Sequence, residues 1–341
     1  MNSVSETEKQ CPAAKRSLGQ HFLRDPNIAR KIVGLLRLTA EDSVLEIGPG
    51  PGALTRFIAD GNPARLLVVE KDAYWAKAAA YLLAEYGPVT SPVAEKDNYR
   101  AAYAKISRTA DVEIHGADES PPADAGRLRV LHVDALTLPF EHFSTGWKII
   151  GNLPYNIASP LLWELFSRMP APARAVFMLQ KEVGLRLTAT PSSRAYGALS
   201  VWLQSFSRPH ASFVVPPHVF HPRPKVDSVV LVFEPLTVGS ADNRDRQRLC
   251  APAAHLAAPA YVTRVQAGLS CSSAHLPCSR AELAGTLHAC FGMRRKQMGR
   301  IVASRGISPH SLEALGINPR SRPENLTPEE FQRVAAARLF V

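Results

Sequence analysis

Two short loops carry the residues best suited to chemistry. Gly151-Asn152-Leu153-Pro154-Tyr155-Asn156 follows one apolar run, and Glu46-Ile47-Gly48-Pro49-Gly50-Pro51-Gly52-Ala53-Leu54-Thr55 follows another. Asn and Pro favour turns, so Asn-x-Pro-Tyr has an ordinary structural explanation. Its residue types also suit one demanding task, methyl transfer to the exocyclic amine of an adenine. That nitrogen is a poor nucleophile because its lone pair is delocalised into the ring. Two acceptors, the Asn152 side-chain oxygen and the Leu153 backbone carbonyl, would hold its two hydrogens and favour a more tetrahedral nitrogen. Pro154 would stiffen the loop, and Tyr155 would offer an aromatic face to an extruded base. Such a scheme needs no strong general base. Placing the lone pair in line with the methyl carries most of the effect, and the N–H acidifies as the new bond forms.

The glycine loop fits two templates. Gly48-x-Gly50-x-x-Ala53 satisfies a permissive dinucleotide fingerprint, whereas Glu-x-Gly-x-Gly-x-Gly is the usual form in S-adenosylmethionine methyltransferases. A bare structural turn is the simplest alternative. Glu70 ends the next apolar run, 22 residues after Gly48, where a carboxylate would bind ribose hydroxyls under either template. Asp134 follows a third run directly. A helix cap explains it, and so does a further polar contact to an adenosine moiety on the same rim. A nicotinamide enzyme has no use for the Asn-Leu-Pro-Tyr loop, so the two loops together point to an amino-methyltransferase.

These loops need a scaffold that brings strand ends together. Val44–Ile47, Leu66–Glu70, Val130–Val133, Trp147–Ile150, Ala175–Leu179 and Val229–Phe233 read as short buried strands with helical stretches between them. That alternation predicts parallel βαβ units covered on both faces. After Glu234-Pro235 the chain turns Ala-, Arg- and Leu-rich with helical spacing, as in Leu283, Leu287 and Phe291 or Phe331, Val334 and Leu339. The expected division is an α/β domain over 1–236 and a smaller, mainly α-helical domain over 237–341. Residues 87–127 and 239–279 read as insertions, the first rich in Pro and scattered charge, the second in Ala, Ser, Pro and Cys.

The 341 residues carry 40 Lys+Arg against 30 Asp+Glu, a net charge of +10. A hydrophobic fraction of 46% and a charged fraction of 21% exclude wholesale disorder. No apolar run approaches the ~20 residues of a bilayer span. The polar start MNSVSETEKQ does not read as a signal peptide. Five irregularly spaced cysteines fit free thiols in a reducing, cytoplasmic compartment. Cys271, His275, Cys278, His288 and Cys290 fall within twenty residues, but zinc sites use tight pairs such as C-x₂₋₄-C, which are missing, so no metal is expected. Residues 1–234 hold 26 basic and 23 acidic residues, and 235–341 hold 14 and 7. The last third therefore carries +7 of the excess, densest at Arg294-Arg295-Lys296 and Arg300. That run is either a solvated face or a grip on nucleic-acid phosphates.

The chain resembles the KsgA-type ribosomal RNA adenine dimethyltransferases. The resemblance runs through Lys15–Leu23, the glycine loop, Val69-Glu70-Lys71-Asp72, Val133-Asp134-Ala135 and the Asn-Leu-Pro-Tyr loop. It continues through Met178–Val183 with Arg186-Leu187, Tyr196–Val201, Val215–Ser228, the basic triplet Arg294-Arg295-Lys296, Leu315–Pro319 and Arg322–Leu326. It implies a Rossmann-like class I S-adenosylmethionine methyltransferase sheet with a helical C-terminal domain. It also implies dimethylation of two adjacent adenosines in the hairpin near the 3′ end of small-subunit rRNA, with the immature small ribosomal subunit as partner and a monomer as the working form. The positions matching His21, Leu23, Gly48, Gly50, Glu70, Asp134 and Asn152 would hold the cofactor. Asn152, Leu153, Pro154 and Tyr155 would form the target-adenine loop, with Phe220 covering the other face of the base. Many relatives carry Asn where His21 stands, a change that a backbone contact would survive.

Three other readings share part of this pattern. The related antibiotic-resistance dimethyltransferases of large-subunit rRNA have the cofactor and base motifs, but Phe220–Ser228 and Leu315–Leu326 favour the small-subunit branch. A DNA adenine methyltransferase would account for the adenine loop alone. A ribosome-assembly or transcription partner, with methylation secondary, would coexist with the enzyme reading.

Overall fold

The computed structural model describes residues 20–90, 127–154, 156–236 and 277–340. A two-residue strand, β1 (Phe22–Leu23), leads into helix α1 (Pro26–Gly34). Asp25 starts that helix by accepting hydrogen bonds from the Asn27 and Ile28 amides, and Pro26 needs no donor at that position. The alternation expected from the apolar runs follows: β2 (Ser43–Ile47), α2 (Thr55–Asp60), β3 (Arg65–Glu70), α3 (Ala73–Ala84) and β4 (Val89–Thr90). Next come β5 (Leu128–His132), β6 (Lys148–Asn152), α4 (Ala158–Arg168), β7 (Arg174–Gln180), α5 (Lys181–Leu187) and α6 (Ala198–Phe206). Three further strands are β8 (Ser207–Val215), β9 (Phe220–His221) and β10 (Ser228–Pro235). Beyond residue 276 the described chain holds helices: α7 (Arg280–Gly292), α8 (Met298–Ala303), α9 (His310–Ala314) and α10 (Pro328–Ala336). Two of them begin at S/T-x-x-E capping boxes, Ser279 with Glu282 and Thr327 with Glu330.

Eight strands form one sheet in the order β4-β5-β3-β2-β6-β7-β10-β8. The six from β4 to β7 are parallel, and β10 lies antiparallel between β7 and β8. The chain winds from β2 outward through β3 to β5, then returns to build from β6 on the other side of β2. The order therefore reverses between β2 and β6, which is where open α/β sheets bind ligands. β10 runs antiparallel because the connection from β8, residues 216–227 with a 3₁₀ turn and β9, returns at the same end of the sheet without a helical crossover. Separately, β1 pairs with β9, Phe22 opposite His221 and Leu23 opposite Phe220.

Both faces of the sheet are covered. Successive residues of a strand point to opposite faces, so on β7 Val176 and Met178 join Ile32, Ile58 and Leu83 of α1–α3 in one buried layer. Ala175, Phe177 and Leu179 face the other layer, built from α4–α6. The same buried cluster takes in Leu283 and Leu287 of α7, Ile301 of α8, and Phe331 and Val334 of α10. Tyr196 seals this junction: it is fully buried, and its hydroxyl donates to the Leu326 carbonyl at 3.0 Å.

Candidate active site

Four strand ends converge on one cavity. Ile47 and Gly48 close β2, Glu70 closes β3, Asp134 follows β5 and Asn152 closes β6, and all line the same space. The glycine loop reaches it through residues of positive φ, +69° at Gly48 and +52° at Gly50, a conformation that side chains disfavour. Gly50 is also crowded, since an added Cβ would stand 3.0 Å from the Phe22 ring. Phe22 in turn meets Trp75 edge-on at 4.9 Å. The segment Gln20–Leu23 thus closes one side of the cavity.

Two carboxylates behind the loop sit in unusual states. Glu70 is 8% exposed and accepts from the Asp72 amide at 2.9 Å and the Gly50 amide at 3.3 Å. Burial pushes its carboxyl up, against the pull of the surrounding amides. Each oxygen retains acceptor capacity for a hydroxyl, which suits a ribose diol. Glu46 is 1% exposed, and burial raises its carboxyl to about 8. Both Glu46 oxygens and the Thr55 hydroxyl are buried without a hydrogen-bond partner among the described residues. Glu46's place in the loop motif gives no sign of this burial.

Asp134 takes the capping role expected of it and adds an ion pair. One oxygen accepts from the Leu136 amide at 3.0 Å and caps the short turn Ala135–Thr137. The other meets Lys71 Nζ at 2.7 Å on the cavity rim. Nothing in the spacing of Lys71 shows that it reaches across to the residue beyond the neighbouring strand.

On the opposite wall, Asn152 donates through Nδ2 to the His21 carbonyl at 2.9 Å. This fixes the amide, since a carbonyl can only accept, and leaves Oδ1 as the free acceptor of the pair. Leu153 is fully buried, anchored by its amide to the Met178 carbonyl at 3.1 Å, and it lines the cavity with Pro154. His21 and Leu23 are on the same wall. Tyr155, and the Lys15–Gly19 part of the N-terminal motif, lie outside the described residues. Phe220 is not among the residues lining the cavity. It is 4% exposed, in the buried layer with α1–α3 and opposite Leu23.

The basic cluster divides. Arg295, Lys296 and Arg300 are exposed, but Arg294 pairs with Glu324 at 2.7 Å and donates to the Arg194 carbonyl at 3.0 Å. The Met298 amide donates to Ser321 and the Gly299 amide to Pro319, at 2.7 and 2.8 Å. Those bonds lay Arg320 and Arg322 beside the start of α8, both exposed. Of the cysteine and histidine set, Cys271 and His275 lie outside the described residues, as do most of both insertions. Cys278 and Cys290 are buried thiols, which burial pushes up to about 11 and about 12. No group of three metal-ligating side chains occurs among the described residues, nor a helix long and apolar enough to cross a membrane.

Residues 12–245 match the family described as Ribosomal RNA adenine dimethylase. The chain is 43% identical over 324 residues to the Ribosomal RNA small subunit methyltransferase A of Nitratidesulfovibrio vulgaris (strain DP4), covering 94% of each chain. It is 40% identical over 336 residues to the protein of the same name from Oleidesulfovibrio alaskensis, covering 97% of this chain and 94% of the relative. Two solved structures share the fold. A dimethyladenosine transferase from Plasmodium falciparum superposes with a TM-score of 0.58 at 20% identity, over 92% of this chain and 95% of the other. The 23S rRNA methyltransferase ErmE does so with 0.53 at 20% identity, over 93% and 99%. The Rossmann-like methyltransferase sheet expected from the sequence is the sheet of these structures.

Proposed function

The chain belongs to the ribosomal RNA adenine dimethylase family, and from that premise we propose that its cavity holds S-adenosylmethionine and that its targets are two adjacent adenosines near the 3′ end of small-subunit rRNA. Dimethylation of rRNA adenine is the activity, and the enzyme is an rRNA adenine dimethyltransferase. The residues present fit the cofactor. The carboxylate of Glu70 suits the ribose diol, Asp134 suits an adenine amino group, and Gly50 lets the loop backbone line the cavity where a Cβ would press on the Phe22 ring. The bound cofactor supplies a methyl activated on a sulfonium.

One observation carries the assignment of the target site: the Asn152 amide spends its donor on the His21 carbonyl and keeps its acceptor. An acceptor at that point, next to the buried Leu153 main chain, takes one hydrogen of the adenine amine, and the Leu153 carbonyl takes the other. Held this way, the nitrogen turns its lone pair toward the cofactor cavity that Asn152 also lines. As the N–C bond forms the nitrogen becomes acidic, and its proton passes to water. For the second transfer a single N–H remains, so one acceptor suffices and the other must give way to a methyl group. Tyr155 supports the base from the same loop.

The exposed cations Arg194, Arg295, Lys296, Arg300, Arg320 and Arg322 form the RNA grip, and the C-terminal region 237–341, whose described part from residue 277 holds α7–α10, acts as the binding unit of a monomeric, cytoplasmic enzyme. Recognition of structured RNA by phosphate contacts and an exposed base needs such a surface. The test is incubation of undermethylated small subunits with methyl-labelled cofactor, followed by nucleoside analysis. Dimethyladenosine in the 3′-terminal hairpin is expected, and its absence beside an active control enzyme refutes the reading. Glu70→Gln should abolish methylation while retaining binding to immature subunits; loss of both would join the two roles in one site.

A further inference from the structure

We infer that His21 is a positioning residue for methyl transfer, acting through Asn152: its ring anchors the N-terminal strap so that its carbonyl sets the orientation of the Asn152 amide. The inference rests on the adenine-methylation reading above. Its observations are two linked hydrogen bonds. Asn152 Nδ2 donates to the His21 carbonyl at 2.9 Å, and His21 Nδ1 meets the Pro222 carbonyl at 2.8 Å. Since the Pro222 oxygen can only accept, the ring carries its proton on Nδ1. Pro222 follows directly on β9, which pairs with β1 as Phe22–His221 and Leu23–Phe220, and the Arg24 amide donates to Val219 at 2.9 Å. The strap is thus held over residues 22–24 by main-chain bonds. One residue further out, at the point that touches Asn152, a side chain continues the attachment.

The direction of the Asn152 amide is what this attachment protects. The terminal torsion of an Asn side chain is broad and nearly two-fold, so an amide with no fixed partner samples both orientations. In the flipped orientation Nδ2 replaces Oδ1 and confronts the N–H of the target amine, donor against donor. A His21 carbonyl fixed in space selects the productive orientation before the base arrives, which is preorganisation of an acceptor. His21 also lines the cofactor cavity. A direct contact from its ring to the cofactor would predict a different kinetic signature.

The experiment measures steady-state kinetics and calorimetric cofactor binding for three variants, with undermethylated small subunits as substrate. His21→Ala should lower kcat about tenfold, the effect of losing about one productive hydrogen bond. Its cofactor Kd should stay within about twofold of the parent. His21→Asn should recover most of the loss, because its Nδ2 hangs from Cγ as the ring Nδ1 does. His21→Gln, whose amide lies one methylene further out, should not. In single-turnover assays His21→Ala should add nothing to Asn152→Ala, because both act through one amide. An unchanged kcat in His21→Ala overturns the inference, and so does a loss confined to cofactor binding or one that adds in full to Asn152→Ala. An inactive parent enzyme instead overturns the adenine-methylation reading, so the two failures are distinct.

Discussion

Replacing the basic cluster one residue at a time should split it into a brace and a grip. Arg294 has a side chain 39% exposed, paired with a Glu324 that is 28% exposed, and a second hydrogen bond to the Arg194 carbonyl. Because the pair is open to solvent, screening reduces it to about 0.5 kcal/mol, and the bond to the carbonyl adds about the same. Arg294→Ala should therefore destabilise the fold by about 1 kcal/mol, a fall in Tm of about 2 °C for a chain of this size. Arg295, Lys296 and Arg300 have no such commitment and are exposed. If each meets one phosphate, the joint substitution Arg295→Ala, Lys296→Ala, Arg300→Ala should lower the slope of log K against log salt by about 2, at about 0.7 to 0.9 per contact. Its Tm should not move. The assays are thermal melting of the free protein and filter binding of a small-subunit rRNA hairpin across a salt series. An Arg294→Ala protein with an unchanged Tm and a reduced salt slope would overturn the division. An unreduced slope in the triple variant would make the exposed cations a solvated face.

Two further outcomes follow from the glycine loop and its carboxylates. Glu46 is raised to about 8 in the folded protein against 4.5 in its absence, so its contribution to stability is full below pH 4.5 and is lost as the pH rises through 8. Thermal melting should show Glu46→Gln gaining on the parent across that window, by a few kcal/mol at pH 8, and a constant difference would refute the buried neutral carboxyl. Gly50→Ala combines a φ of +52° with a Cβ 3.0 Å from the Phe22 ring. It should raise the cofactor Kd at least tenfold by calorimetry while leaving hairpin binding intact, and equal cofactor affinity would show that the loop has room to spare.

Most of the sheet was legible because its parallel strands are buried on both faces and read as continuous apolar runs, as in Val176–Leu179 and Leu66–Val69. β8 was not, because it is an edge strand. Its middle residues are exposed, Pro209 interrupts it, and neither an apolar run nor a clean alternation survives. The β1–β9 pair was invisible for a different reason. It joins two residues to two others almost two hundred positions away, and no periodicity exists over two residues. At the site, Gly48, Glu70, Asp134 and Asn152 were readable because strand ends deliver them to one rim whatever else the chain does. The partners of Lys71 and Phe22 and the burial of Glu46 depend on what packs across from them, which spacing along the chain does not encode. Phe220 belongs with them: its proline-flanked motif is readable in the sequence, but its place opposite Leu23 in the β1–β9 pair is not.

Charge follows the same rule, and here the fold changes the meaning of a count. The C-terminal excess of +7 counts every cation alike, yet several of its cations are engaged within the fold. Arg280 donates to the Ser167 and Met169 carbonyls and lies over the Phe206 ring, Arg333 donates to Leu315, and Arg338 pairs with Glu282. Together with Arg294 these residues tie the helices to one another and to the sheet domain. Among the described residues, the bonds from Met298 and Gly299 to Ser321 and Pro319 gather exposed cations from two stretches of sequence into one patch. A polyanion responds to that local density, because each phosphate contact releases its own counterions, and net charge summed over a domain does not measure it. The strength of the RNA grip should accordingly track substitutions within this patch and stay indifferent to equal changes of charge at the internal arginines, beyond what they cost in stability.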